Sequence, residues 1–147
     1  MMGYYVSGSG NVRIKKDDLG KAYEAMMALQ DRTDLMGGGG FAPNQPRRYW
    51  FAWMPENLRT IPNAKEVFLS LGFEVQDEDD GGILIFAYDS KIGDEKWFFA
   101  AAAPFMSGEF EWTGEDGERW KWMFEDGKMI EWTGVNVNYQ FDEEVKL

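Results

Sequence analysis

The stretch GEFEWTGEDGERWKWMFEDGKMIEWTG, residues 108–134, decides the fold. Large apolar residues alternate with polar ones in three runs: Phe110 and Trp112; Trp120, Trp122 and Phe124; Ile130 and Trp132. A period of two is what a strand with one buried face requires. The same tripeptide, Glu115-Asp116-Gly117 and then Glu125-Asp126-Gly127, separates the runs, so the segment reads as a three-stranded antiparallel meander. An Asp-Gly pair favours a two-residue hairpin loop, but parity argues against one here. A two-residue loop at Asp116-Gly117 sets Trp112 opposite Lys121 and mixes the faces. A three-residue loop with Gly117 left-handed pairs Trp112 with Trp120 and Phe110 with Trp122. Treating the second loop alike pairs Trp120 with Trp132 and Trp122 with Ile130. The other face then carries the rows Glu111–Lys121–Glu131 and Thr113–Arg119–Thr133. Cross-strand charge pairs of that kind contribute about 0.2–1 kcal/mol each, and a one-residue slip undoes them all. Four tryptophans then share one face, which becomes core where helices cover it and a binding surface where they do not.

The 147 residues are enough for one ordinary domain with a sizeable core. No run reaches the length of a membrane span, and the N-terminus lacks a signal-peptide layout, so export and membrane association are not expected. Cysteine is absent, which excludes disulfides and thiolate metal sites and fits the cytoplasm. Histidine is also absent, which removes the usual general base and the commonest metal ligand. No cofactor and no metal is expected. Net charge is −11 and unevenly placed. Nine Lys or Arg stand against eight Asp or Glu in residues 1–76, and six against eighteen in residues 77–147. Direct nucleic-acid binding is disfavoured, because it needs clustered cations.

Along the chain, residues 4–7 and 11–14 read as strand interrupted by a bulge or turn at Gly8-Ser9-Gly10. Asp17 or Asp18 caps a helix with Leu19, Ala22, Tyr23, Met26 and Met27 on one stripe. The run of Gly37 to Gly40, with Pro43 and Pro46, predicts a mobile loop at about residues 31–48, either a flap or a plain insertion. Arg47, Arg48, Tyr49 and Trp50 follow it, as a buried strand or as a basic, aromatic lip able to stack on a planar ligand. Thr60 is placed as the N-cap of a second helix that Gly72 ends. Residues 73–76 and 83–88 form a hairpin across the turn Asp77-Glu78-Asp79-Asp80-Gly81. That turn lacks the alternating ligands and twelfth-position Glu of a calcium loop. Asp94 caps a third helix with Trp97, Ala100 and Ala101 inward, and a last strand precedes a frayed tail at residues 142–147. The fold class is α+β: a single domain with a largely antiparallel sheet, a C-terminal three- to four-stranded meander, and about three helices on one face.

The segments WFAWMP (residues 50–55), LGFEV (71–75), AAAPFM (101–106) and EWTGEDGERWKWMF (111–124) resemble, in this order, those of small acidic bacteriophage-encoded proteins of uncharacterised function. The resemblance implies a phage origin and a role in the host cytoplasm. It carries no activity and no catalytic residues.

Three readings follow. In the first, the chain is a non-catalytic acidic protein that binds a host protein with a basic surface, as an inhibitor of a nucleic-acid-handling or defence factor. Its contact residues are Asp77, Glu78, Asp79, Asp80, Glu115, Asp116, Glu118, Glu125 and Asp126. In the second it is a nucleotide-like small-molecule sponge, with the aromatic sheet as floor and Arg47, Arg48, Tyr49 and Trp50 as contacts. The third is an enzyme using Glu111, Lys121 and Glu131, which as a cross-strand trio look structural. Oligomeric state is left open.

Overall fold

The structure is a computed structural model that describes residues 4–32, 34, 55, 57–135 and 138–147. The chain forms strand β1 (Tyr4–Ile14), helices α1 (Leu19–Met27) and α2 (Ala64–Leu71), strands β2 (Glu74–Asp77) and β3 (Ile83–Ile92), helix α3 (Glu95–Ala102), and strands β4 (Met106–Gly114), β5 (Arg119–Glu125), β6 (Lys128–Val135) and β7 (Asn138–Val145). All seven strands lie in one antiparallel sheet, in the order β2-β3-β1-β4-β5-β6-β7. The first four strands, with their helical crossovers, have the split βαβ topology of ferredoxin-like folds, and the meander extends that sheet beyond β4. The α+β architecture and the C-terminal meander are as expected. The predicted Gly/Pro-rich loop lies almost wholly outside the described residues.

The helices cover one face of the sheet. Ala22, Met26 and Met27 of α1, Val67, Phe68 and Leu71 of α2, and Phe98, Phe99, Ala101 and Ala102 of α3 join the inward strand residues in one buried cluster. Aromatic rings dominate it. Trp112 meets Phe110 and Trp122 at 4.8 Å and Tyr88 at 5.4 Å. Phe99 meets Phe73 at 4.8 Å and Trp122 at 5.2 Å. Such pairs add about 0.5–1.5 kcal/mol each beyond the area they bury.

β1 continues through residues 8–10 in the centre of the sheet, and the expected irregularity shows as a register shift against β3 between Ser9 and Val12. Val6, Gly8, Gly10, Val12 and Ile14 alternate toward the helices, and the two glycines leave room for neighbouring rings. A Cβ on Gly8 would lie 2.4 Å from Phe110 Cε1, and one on Gly10 would lie 2.2 Å from the Glu109 carbonyl oxygen.

The first meander hairpin has the expected register: Trp112 faces Trp120, Phe110 faces Trp122, and Gly117 closes the loop with φ 88°. The second does not. Trp120 pairs with Thr133, Trp122 with Glu131 and Phe124 with Met129. Its loop is the two-residue Asp126-Gly127, with φ 56° and 75°, positive at both positions as a type I′ turn requires. Trp132 and Ile130 therefore lie on the face opposite Trp112, Trp120 and Trp122, and the row Glu111–Lys121–Glu131 is not formed. Two local interactions favour this register. The primed turn matches the strand twist, and the inward Glu131 accepts a hydrogen bond from Trp122 Nε1 at 3.0 Å. Trp132 packs instead against Phe141 of β7, rings 5.6 Å apart.

Smaller corrections concern the helix ends and the tail. Asn63, not Thr60, caps α2, its side chain accepting from Glu66 N at 2.9 Å, while Thr60 ends a short 3-10 turn. Gly72 ends α2 at φ 106°, as expected. Asp18 and Asp94 occupy N-cap positions without side-chain cap hydrogen bonds. On α3 the inward residues are Glu95, Phe98, Phe99, Ala101 and Ala102, with Trp97 only partly buried, so the stripe is rotated from the expected one. The tail is not frayed through its length. Strand β7 continues to Val145, which is buried opposite Met129.

These contacts predict opposite effects for two glycine substitutions. Gly10→Ala should destabilise by about 1–3 kcal/mol through overpacking. Gly20→Ala, on α1 with nothing within 4 Å of the added carbon, should be neutral or stabilise by up to about 1 kcal/mol. Urea unfolding of both variants checks this, and equal effects would contradict the central placement of β1.

Candidate protein-binding face

On the sheet face away from the helices, β1 presents Ser7, Ser9, Asn11 and Arg13, all exposed. The first three are short, so the strand forms the floor of a trough between β3 and β4. Two adjoining depressions of about 320 and 440 Å³ lie along it, sharing Ser9 and Glu111. Phe86 stands on the β3 side, and Glu109, Glu111 and Thr113 on the β4 side. The floor is tied to its wall. Asn11 Oδ1 accepts from Glu109 N at 3.0 Å, beside Gly108, whose φ of 104° no ordinary residue takes readily. Beyond the wall, Lys121 lies 3.7 Å from Glu109, and Arg119 lies 3.9 Å from Glu111.

An acidic turn closes each end of the trough. At one end, both oxygens of Glu78 accept from Arg13 Nε at 3.1 Å, which brings the turn between β2 and β3 against the end of β1. In that turn Asp80 accepts from Gly82 N at 2.9 Å, while Asp77 pairs with Lys65 at 3.0 Å on the helix side. At the other end, Glu115 N donates to Tyr5 O at 3.1 Å, and Glu115, Asp116 and Glu118 are exposed. Tyr5 is 45% exposed there, and its hydrogen bond with the Asp89 carboxylate holds its phenol above the ordinary range. The third segment lies at the same end of the sheet as the β2–β3 turn, outside β4. Glu125 follows the Gly108–Phe124 pair, two strands or about 10 Å from β1 at about 4.8 Å per strand. Two of the three expected acidic segments thus close the ends of the trough, and the third stands beyond its β4 wall.

Arg47, Arg48, Tyr49 and Trp50 lie outside the described residues. The aromatic floor expected for a planar ligand is covered by helices, with Trp112 and Trp122 each 1% exposed. Of the trio Glu111, Lys121 and Glu131, the last lies on the opposite sheet face. There its carboxylate comes together with those of Asp142 and Glu143, oxygens within 4.8 Å of one another. A separate, mainly apolar cleft of about 360 Å³ lies among Leu19, Tyr23, Ala64 and Ile83, with Lys65 and Asp77 among its lining residues. The sequence reading places a bulge or turn at Gly8-Ser9-Gly10, which does not by itself reveal the trough. Its signal is the alternation Ser7-Gly8-Ser9-Gly10-Asn11, small on both faces of one strand.

Glu95 is the buried charged residue of the described core, fully enclosed at the start of α3. Its carboxylate accepts from Tyr88 Oη at 3.0 Å and from Gly93 N. It ties β3 to α3 and is remote in role from the trough.

No protein-family model, no characterised protein and no solved structure matches the chain. Among the described residues, no helix is long and apolar enough to cross a membrane.

Burial raises the Glu95 carboxyl above its ordinary 4.5, with hydrogen bonds from Gly93 and Tyr88 opposing. The folded chain therefore holds this proton more tightly than the unfolded chain. The contribution to stability is full below the unfolded value and is lost as pH rises through the raised folded value. Between pH 4 and pH 7, wild type should lose more stability in urea unfolding than Glu95→Gln does. Glu95→Ala should be destabilised at both pH values by about 1–3 kcal/mol, because its donors lose their acceptor. A larger pH-dependent loss in Glu95→Gln would contradict the assignment.

Proposed function

We propose that the protein is a non-catalytic, phage-type binding protein that associates in the host cytoplasm with the basic surface of a host protein. It acts there as an inhibitor of a nucleic-acid-handling or defence factor. The observation that supports this reading is the sheet face away from the helices, where a trough ends in an acidic turn on either side. Such a face raises the encounter rate with a cationic partner and repels a phosphate backbone. The sequence composition agrees, since it supplies neither histidine nor cysteine for the usual nucleophilic chemistry.

The face also sets which charges matter. Asp79, Asp80, Glu115 and Asp116 belong to the two turns at the ends of the trough, while Glu125 stands one strand outside β4. Long-range attraction between exposed charges fades beyond about 8 Å at physiological salt, so the end turns act most strongly on a ligand seated on the trough.

Immobilised wild type should capture a basic host protein in a salt-sensitive way. With the purified partner, Glu115→Lys combined with Asp116→Lys should weaken binding at least tenfold. Binding indifferent to salt and to the first pair of substitutions would overturn the proposal.

A further inference from the structure

We infer that the free edge of β7 takes up an extended strand of a partner protein, with basic residues on one face of that strand and an apolar residue on the other. The inference shares with the proposed function a cationic protein partner, and it places that partner on a different surface. Strand β7 lies three strands beyond β4, about 14 Å away at about 4.8 Å per strand. The two contacts can therefore fail separately.

Strand β7 is the last of the sheet and, among the described residues, pairs only with β6. Alternate N–H and C=O groups of such an edge point away from the sheet and are open to an added strand. The two faces of the edge differ. On the face away from the helices, Phe141 is 55% exposed and packs against Trp132. Ile130 and Met123, paired across β6 and β5 on that face and each partly buried, continue the apolar surface inward. On the helix side, the carboxylates of Glu131, Asp142 and Glu143 converge, their oxygens within 4.8 Å of one another. Glu131 pairs with Glu143 and Trp132 with Phe141, which makes Asp142 the extra residue of a β-bulge. A bulge re-aims a side chain, and here Asp142 joins Glu143 on one side. Among the described residues no ion pair reaches these three carboxylates. Lys128 and Lys146 pair instead with Glu144, at 3.8 Å each, on the Phe141 face.

Those charges select the occupant. A second copy of β7 would bring its own Asp142, Glu143 and Glu144 to the same edge, and like charges across strands are destabilising. A strand with Lys or Arg on the helix side meets carboxylates that no cation of the described chain neutralises. Its next residue points to the other face, over Phe141. Three residues suffice, an apolar one between two basic ones.

The test uses a fluorescein-labelled heptapeptide, Thr-Lys-Val-Lys-Val-Lys-Thr, titrated with the full chain at physiological salt and followed by anisotropy. Two further forms carry N-methyl groups, one on the lysine nitrogens and the other on the valine nitrogens. Alternate N–H groups of an added strand face opposite ways, so one form should lose binding at least tenfold and the other should stay within threefold. Asp142→Lys with Glu143→Lys should weaken the unmodified peptide at least tenfold and Phe141→Ser at least fivefold, with unchanged circular dichroism. Glu115→Lys with Asp116→Lys should alter it less than twofold. Equal behaviour of the two methylated forms overturns the inference, as does full binding by Phe141→Ser or by the charge-reversed pair. So does a dimer in sedimentation that Phe141→Ser dissolves, since a second copy then occupies the edge. Absent peptide binding beside intact salt-sensitive capture of a host protein removes the β7 assignment and leaves the proposed function standing. Peptide binding without such capture removes the proposed function alone.

Discussion

The structure depends on how little side chain the central strand carries. Between Ser7 and Asn11, β1 has glycine on its inner face and serine or asparagine on its outer face. Inside, the absence of Cβ atoms at Gly8 and Gly10 lets Phe110 and Trp112 press on the strand backbone. Those rings then reach Trp122, Tyr88 and Phe73 in one continuous aromatic packing. Outside, the same thinness leaves the trough. One local composition thus serves both the core and the candidate binding face. A bulkier strand at this place would push the rings outward and fill the trough together.

Much of this was legible in the chain itself, because hydrophobic alternation and loop parity are local properties. The first meander hairpin follows from Trp112, Trp120 and a Gly117 able to adopt positive φ. The α2 stop at Gly72 follows for the same conformational reason. The second hairpin departs from the expected register because its two-residue loop keeps Phe124 with Met129 and Met123 with Ile130 but sets Trp122 against Glu131, a mixed pair that alternation disfavours. Met123 and Met129 suit either face, and the apparent charge row Glu111–Lys121–Glu131 tipped the balance the wrong way. What decides it is a pairing no alternation rule contains, the Trp122 indole donating to Glu131 across the strands. The buried Glu95 was equally hidden. A glutamate at a helix start reads as a solvated first-turn acid, and only the tertiary approach of Tyr88 and Gly93 makes it an internal tie.

The acidic segments illustrate the difference between charge and site. Their composition was plain, but their convergence depends on strand order. Because β1 sits between β3 and β4, the β2–β3 turn and the β4–β5 loop fall at opposite ends of the same trough. The β5–β6 turn, of nearly the same sequence, falls outside β4, beyond the wall of the trough. Part of the charge is also used internally, by Arg13 on Glu78 and Lys65 on Asp77. Exposed pairs like these contribute at most about 1 kcal/mol each. Their effect is to orient the turn more than to stabilise the fold.

The central claim is the contact between a bare strand and the rings above it, with Trp132 excluded to the other face. Nuclear Overhauser contacts in the labelled protein test it most directly. The account predicts strong contacts from the Hα protons of Gly8 and Gly10 to the rings of Phe110 and Trp112, with those Hα resonances displaced by ring currents. It also predicts contacts from the Trp132 indole to Phe141. Glycine Hα protons at ordinary shifts without ring contacts, together with Trp132 touching Trp120, would contradict it.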